Sequence, residues 1–275
     1  MDILKFLYET KPGRIILRPL INRPFSWISG IIMDSRLSKL LIPAFVKHNH
    51  INCDDYVLDD INSFNDFFCR RIKNGLRNIS FKEADFISPC DALLSIKTIK
   101  DGRIYSAKQS SFTIASLLRD RRLAKTFEDG YMLVFRLCVD HYHRYIYIDS
   151  GQKYKDRRIN GFYHTVRPVA IENFPVFIEN TREYSIINTD NFGRCVQMEV
   201  GALLVGRIVN NNSNSCRISR GYEKGHFEYG GSTIIVLVKK NRLRLLDRFI
   251  KIIDSDKELP VKMGETLGDR ESEVH

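Results

Sequence analysis

The chain has 275 residues, 43% hydrophobic and 11% aromatic, with 43 Lys and Arg against 33 Asp and Glu for a net charge of +10. That length and apolar content suffice for a buried core, as one large domain or two small ones, and exclude whole-chain disorder. The positive balance points to a polyanionic partner, either nucleic acid or an anionic membrane surface, or to a plain solvated basic surface.

Residues 1–50 read as helical and basic. Ile3, Phe6 and Leu7 form one apolar stripe, continued at helical spacing by Ile16, Leu17, Leu20 and Ile21. Trp27, Ile31, Ile32, Leu37, Leu40, Leu41 and Phe45 form a second, interleaved with Arg14, Arg18, Arg23, Arg36, Lys39 and Lys47. Such a segment either packs on the protein's own core or lies in a headgroup layer with its apolar face down, and the density of Trp, Phe and Arg favours the membrane. Lys5, Glu9, Lys11 and Arg14 break up any signal-peptide core, and no apolar run reaches the roughly 18–20 residues needed to cross a bilayer.

Within residues 54–76, Asn62 and Ser63 precede an aromatic face of Phe64, Phe67 and Phe68, which predicts a short helix. From about residue 85 the period changes. Segments 93–99, 131–139, 144–148, 195–209 and 232–239 are rich in Val, Ile and Tyr and read as strands, with a helix expected over 111–124. The polar tail from Asp254 reads as a surface extension. Helices first and strands after predict an α+β fold with a mainly antiparallel sheet. The expected division is an N-terminal helical, membrane-associating region over 1–80 and a β-rich catalytic core over 81–275. Six cysteines, at positions 53, 69, 90, 138, 195 and 216, make no Cys-x-x-Cys pair and no zinc-ribbon spacing, so they read as reduced thiols.

The Gly231–Ser232 bond is the only Gly-Ser step among the sixteen glycines, and it stands where a glycine run meets an apolar strand. A serine hydroxyl there can attack the preceding carbonyl, turning amide into ester. Elimination then cuts the chain and leaves a pyruvoyl ketone on the new N-terminus. Such an electrophile is the tool of an amine or amino-acid decarboxylase. A glycine pair before a strand is equally an ordinary bulge or turn. Asp91, in Ser88-Pro-Cys-Asp, stands at a strand entrance, where it orients a base, holds a charged group or simply caps a turn. His141 and His143 are two apart, so on a strand they share a face and are candidates for proton transfer. No third ligand at standard spacing accompanies them, so no metal is expected.

Taken together these segments resemble the phosphatidylserine decarboxylases, a pyruvoyl-dependent family. The resemblance rests on Phe67-Phe-Cys-Arg, Ser88-Pro-Cys-Asp, Arg136-Leu with Tyr142-His-Arg, and His164-Thr-Val-Arg-Pro. It continues through Asn180-Thr-Arg, Val200-Gly-Ala-Leu-Leu-Val-Gly and Lys224-Gly-His-Phe-Glu-Tyr-Gly-Gly-Ser-Thr, in order along nearly the whole chain. It implies decarboxylation of phosphatidylserine to phosphatidylethanolamine through a Schiff base on a pyruvoyl group made from Ser232. It also implies cleavage after Gly231 into a β chain, 1–231, and an α chain, 232–275, that stay together as a heterodimer, with a homodimer of that unit expected in addition. Asp91 matches the aspartate of the family's Asp-His-Ser processing relay, and His143 the histidine of the decarboxylation step. The expected location is the cytoplasmic side of the cell membrane, bound peripherally to an anionic surface, with no nucleic-acid partner.

The chain departs from the pattern at one place. The relay histidine aligns with Ile146, which accepts no proton, and the aspartate before Tyr142 aligns with His141. Either His141 or His143 then serves as base, or the chain is an unprocessed lipid-binding relative. A pyruvoyl decarboxylase for another amine is the remaining alternative.

Overall fold

The computed structural model describes residues 3–104, 111–203, 207–230 and 232–271. Short helices come first, Ile3–Glu9, Lys11–Leu20, Arg23–Asp34 and Ile42–Asn49, followed by Phe64–Phe68. Local chemistry sets their starts. Thr10 accepts the Gly13 amide and Ser63 the Asp66 amide, capping two first turns, while Pro12, Pro24 and Pro43 sit where a helix N-terminus has no N–H to satisfy. Leu7, Tyr8, Leu17 and Ile21 face inward and join the main core.

The body is a nine-stranded sheet in which every pairing is antiparallel, in the order Cys216–Ile218, Gly151–Lys153, Arg182–Thr189, Gly193–Val200, Ser232–Val238, Tyr131–Leu137, Ala92–Thr98, Leu259–Val261, with Arg157–Ile159 added beside Arg182–Thr189. The architecture is α+β, as expected. Ser232–Val238 is buried at every position and flanked on both sides, which is why Ile234–Val238 is apolar throughout instead of alternating. Each face meets its own core. Leu133, Phe135, Leu137, Ile234 and Val236 pack on one side, and Met132, Val134, Val196, Ile235 and Leu237 on the other.

Several expectations need correction. The tail is not a surface extension. Leu259–Val261 pairs with Ala92–Thr98, and Thr266–Arg270 pairs with both Leu243–Leu245 and Asp85–Ile87, burying Val261, Met263 and Leu267. The helix expected over 111–124 is two five-residue helices, Ile114–Leu118 and Arg121–Lys125, separated at Arg119, whose φ of 49° ends the first. The strand expected over 195–209 ends at Val200, and Ile208–Asn210 belongs to a separate three-stranded sheet; residues 204–206 lie outside the described residues. All six cysteines are free, three buried and three half-buried.

Candidate active site

Three neighbouring strands end at the same edge. Thr233 pairs with Arg136, and Arg136 with Leu93, so Asp91, Leu137 and Ser232 lie at one end of adjacent strands. Two strand spacings put the Asp91 and Ser232 backbones about 10 Å apart. Ser232 pairs directly with Leu137. It is fully buried, and its hydroxyl has no hydrogen-bond partner among the described residues. An orphaned buried hydroxyl is costly, and the Ser26 and Thr233 hydroxyls share this state among the described residues. Gly231, the expected cleavage site, lies outside the described residues.

His143 is tied to Ser232 by two backbone links. The chain runs six residues from Leu137 to His143, whose carbonyl accepts the Phe227 amide, and five residues from Phe227 back to Ser232. The expected shared strand face for the two histidines is not what forms. His141 stands in a turn whose amide donates to the Cys138 carbonyl, and His143 directly precedes the Arg144–Ile146 strand.

The turn gives the two rings different chemistry. The Cys138 amide donates to His141 Nδ1 at 3.2 Å, which occupies that lone pair. His143 Nδ1 lies 2.9 Å from the His141 carbonyl oxygen. A carbonyl only accepts, so His143 carries its proton on Nδ1 and leaves the Nε2 lone pair free. That nitrogen is buried without a partner among the described residues, and the His143 ring lies against Phe68 with the ring centroids 4.0 Å apart. Burial, reinforced by the charges of Arg70 and His141, holds the His143 ring well below the usual imidazole range, so it is neutral at physiological pH. Burial also lowers His141.

Asp91 is almost fully buried and acts as a clamp. Arg77 Nε donates to Oδ1 at 2.8 Å and Nη2 to Oδ2, the Met263 amide donates to Oδ1 at 2.9 Å, and Lys262 Nζ lies 3.7 Å from Oδ2. Its carboxylate thus holds a guanidinium, and its field reaches His141. Ile146 packs with Phe67, Ile87, Tyr142 and Met263, its amide bonded to the Pro89 carbonyl. The position is therefore on the Asp91 side of the site.

Sequence reasoning found no third ligand near the histidine pair. The fold supplies Cys138 and Asp140 beside His141, with one donor atom from each within 4.8 Å of the others. The His141 Nδ1 lone pair is already taken there, and Arg136 Nη1 donates to the Cys138 sulfur at 3.4 Å. A separate cavity of about 210 Å³, lined by Val134, Arg136, Phe112, Phe174 and Phe177, opens on the other face of the sheet, away from the Ser232 side chain. A residue that sequence reasoning missed is Arg70, fully buried within the block Phe67-Phe-Cys-Arg, whose charge bears on His143.

Residues 64–269 match the family model described as phosphatidylserine decarboxylase. The chain is 39% identical over 267 residues to a phosphatidylserine decarboxylase proenzyme 2 of Clostridium acetobutylicum, covering 97% of this chain and 91% of the relative. It is 36% identical to the phosphatidylserine decarboxylase proenzyme of Clostridium tetani, with the same coverage, and 35% identical to that of Fusobacterium nucleatum, covering 98% and 91%.

Proposed function

This chain belongs to the phosphatidylserine decarboxylase family, and on that premise we propose that it matures by cutting itself at Ser232 and then converts phosphatidylserine to phosphatidylethanolamine and carbon dioxide. The observation that carries the reading is the buried, partnerless Ser232 hydroxyl at the strand edge shared with Asp91 and linked to a neutral His143. A pyruvoyl group made from Ser232 supplies an electron sink for the electrons that carbon dioxide leaves behind.

The protein's own residues do the rest. Strand pairing to Leu137 fixes the Ser232 backbone, so its hydroxyl reaches the preceding carbonyl without a search. His143 Nε2 is the proton acceptor that the hydroxyl needs, and in turnover the ring takes a proton from the substrate's ammonium group and returns it to the α-carbon. A ring that resists protonation gives its proton up readily, which suits that second role. His141, with its lone pair committed to the Cys138 amide, positions His143 through its carbonyl. Asp91 braces the strand entrance through Arg77 and Met263.

The N-terminal helices are the membrane-docking face. Of eighteen exposed large hydrophobic residues among the described ones, ten lie between Ile3 and Leu41, among them Trp27, Ile31, Leu37 and Leu40. Arg18, Arg23, Arg36 and Lys39 are exposed beside them and add attraction to an anionic surface, about 1 kcal/mol each. No helix among the described residues is long and apolar enough to cross a membrane; these exposed helices would seat the protein on the membrane surface, on its cytoplasmic face.

The test is the intact mass of the purified protein under denaturing conditions, beside a Ser232→Ala variant. Expected are fragments 1–231 and 232–275 from the wild type, the second with a pyruvoyl terminus, and carbon dioxide release from phosphatidylserine vesicles. A single uncut, inactive wild-type chain, or cutting in Ser232→Ala, would overturn the proposal.

A further inference from the structure

Among the described residues, five Lys and Arg cations are deeply buried: Arg70, Lys153, Arg182, Arg220 and Lys224. Four are fully provided for. Lys153 pairs with Asp156, Arg220 with Asp149, and Lys224 with Glu199, while Arg182 donates to the carbonyls of Ser116, Leu117, Ile178 and Asn180. Arg70 is the exception. Its Nη1 donates to the Phe67 carbonyl at 3.2 Å, and its guanidinium lies over the rings of Tyr56, at 4.2 Å, and Phe67, at 4.8 Å. Its Nε and Nη2 have no partner, and no carboxylate pairs with it, among the described residues.

Ring faces compensate a buried charge only in part. An unpaired guanidinium in an apolar interior remains costly, and the described residues supply no anion for it, which leaves its free edge open to one from outside the chain. Nε–H and Nη2–H form the edge of the guanidinium that grips two oxygens of one anion side by side. The neighbourhood is that of the proposed active site. The Arg70 charge acts on His143, and Phe68, two residues earlier, covers the His143 ring. The cover over Phe68 is Tyr229, with ring centroids 5.3 Å apart and the Tyr229 amide held by Asn65 Oδ1 at 3.0 Å. Tyr229 stands just before the bond that the proposed maturation cuts.

The substrate of that reading carries two anions. A cation fixed on the carboxylate would stabilise the charge that decarboxylation must remove and so raise the barrier. The phosphodiester keeps its charge throughout and gains from being held. We propose that Arg70 binds the phosphodiester of the lipid headgroup through Nε–H and Nη2–H, turning the serine moiety toward His143 and residue 232. This rests on the decarboxylase reading.

The experiment compares wild type, Arg70→Met and Arg70→Lys. Self-cleavage is scored by mass, turnover with soluble dihexanoyl phosphatidylserine, and inhibition with dihexanoyl phosphatidylglycerol, which has the phosphodiester but neither amine nor carboxylate. Arg70→Met is expected to cut normally, to lose on the order of 100-fold in kcat/KM, mostly through KM, and to bind the inhibitor more weakly by a similar factor. Arg70→Lys should recover part of both losses. If Arg70→Met fails to cut, the Arg70→Lys change in KM and in inhibitor affinity decides the matter. Loss of phosphatidylserine affinity with inhibitor binding unchanged would move the contact to the carboxylate and overturn the assignment. Unchanged values for both would remove Arg70 from the site. An inactive wild type would instead sink the decarboxylase reading itself.

Discussion

Replacing Lys224 by Met should destabilise the protein in a way that grows with pH. Lys224 Nζ lies 2.7 Å from Glu199 Oε2 and 2.9 Å from Asn210 Oδ1, and both members of the ion pair are fully buried. Burial raises the Glu199 carboxyl from 4.5 to about 7, with Lys224 pulling the other way. A raised carboxyl binds its proton more tightly in the native state. Its contribution to stability is therefore complete below pH 4.5 and lost as pH rises through 7, a change of about 3 kcal/mol at 1.36 kcal/mol per unit. At pH 6 Glu199 is mostly neutral, so Lys224→Met removes hydrogen bonds worth about 1–3 kcal/mol. At pH 8 it strands a buried carboxylate, at a cost of about 3–5 kcal/mol. At roughly 2–4 °C per kcal/mol for a chain near this size, the melting temperature should fall by roughly 6–20 °C at pH 8 and clearly less at pH 6. Calorimetric melts of both proteins at the two pH values provide the check. A shift equal at both, or below about 2 °C at pH 8, would refute the reasoning.

Arg77→Gln leaves Asp91 buried with the Met263 amide and a distant Lys262, so stability should drop by about 3–5 kcal/mol in denaturant titration, with slower appearance of cleaved chains. His143→Ala should slow self-cleavage, and turnover by the chains that are cut should fall on the order of 10²–10⁴-fold; normal cleavage and turnover would remove His143 from the mechanism. Leu37 and Leu40 are 78% and 79% exposed, so Leu37→Ser with Leu40→Ser should leave the melting temperature nearly unchanged. The same double change should weaken sedimentation with anionic vesicles by on the order of 10²–10⁴-fold, from about 1.5–3 kcal/mol lost per leucine.

Elements whose reasons are local were readable in the sequence. The apolar run from Ile234 to Val238 announces a central strand, and Ser63 announces the helix Phe64–Phe68. Elements whose reasons are distant were not. Arg182–Thr189 reads as polar because its strand places Arg182, Glu183 and Ser185 in buried hydrogen-bond networks, and it was not anticipated. The C-terminal strands hide behind Pro260, Gly264 and Gly268 and owe their place to pairing with Ala92–Thr98 and Asp85–Ile87, far back in the chain, as well as with Leu243–Leu245. At the site, Ser232 and Asp91 were legible because glycine and proline punctuate the chain beside them. The division of labour between His141 and His143 was not, since it depends on a turn that directs one amide at one ring nitrogen. Arg70 escaped notice for a similar reason. Its significance lies in the missing partner, which a sequence cannot display.

The segment after Ser232 threads through the whole body. Ser232–Val238 lies between Gly193–Val200 and Tyr131–Leu137, Leu259–Val261 borders Ala92–Thr98, and Thr266–Arg270 pairs with Asp85–Ile87. Once cut, the two pieces cannot part without breaking the sheet at several places. Nor can they easily find each other again after denaturation, because the covalent tether that gave each strand a high effective concentration at its partners is gone. If the proposed cut is made, assembly would be a single-use event carried out by the uncut precursor. The cut protein would then persist by the slowness of its unfolding and not by an equilibrium it can revisit. Its working lifetime would be set at the moment it becomes active.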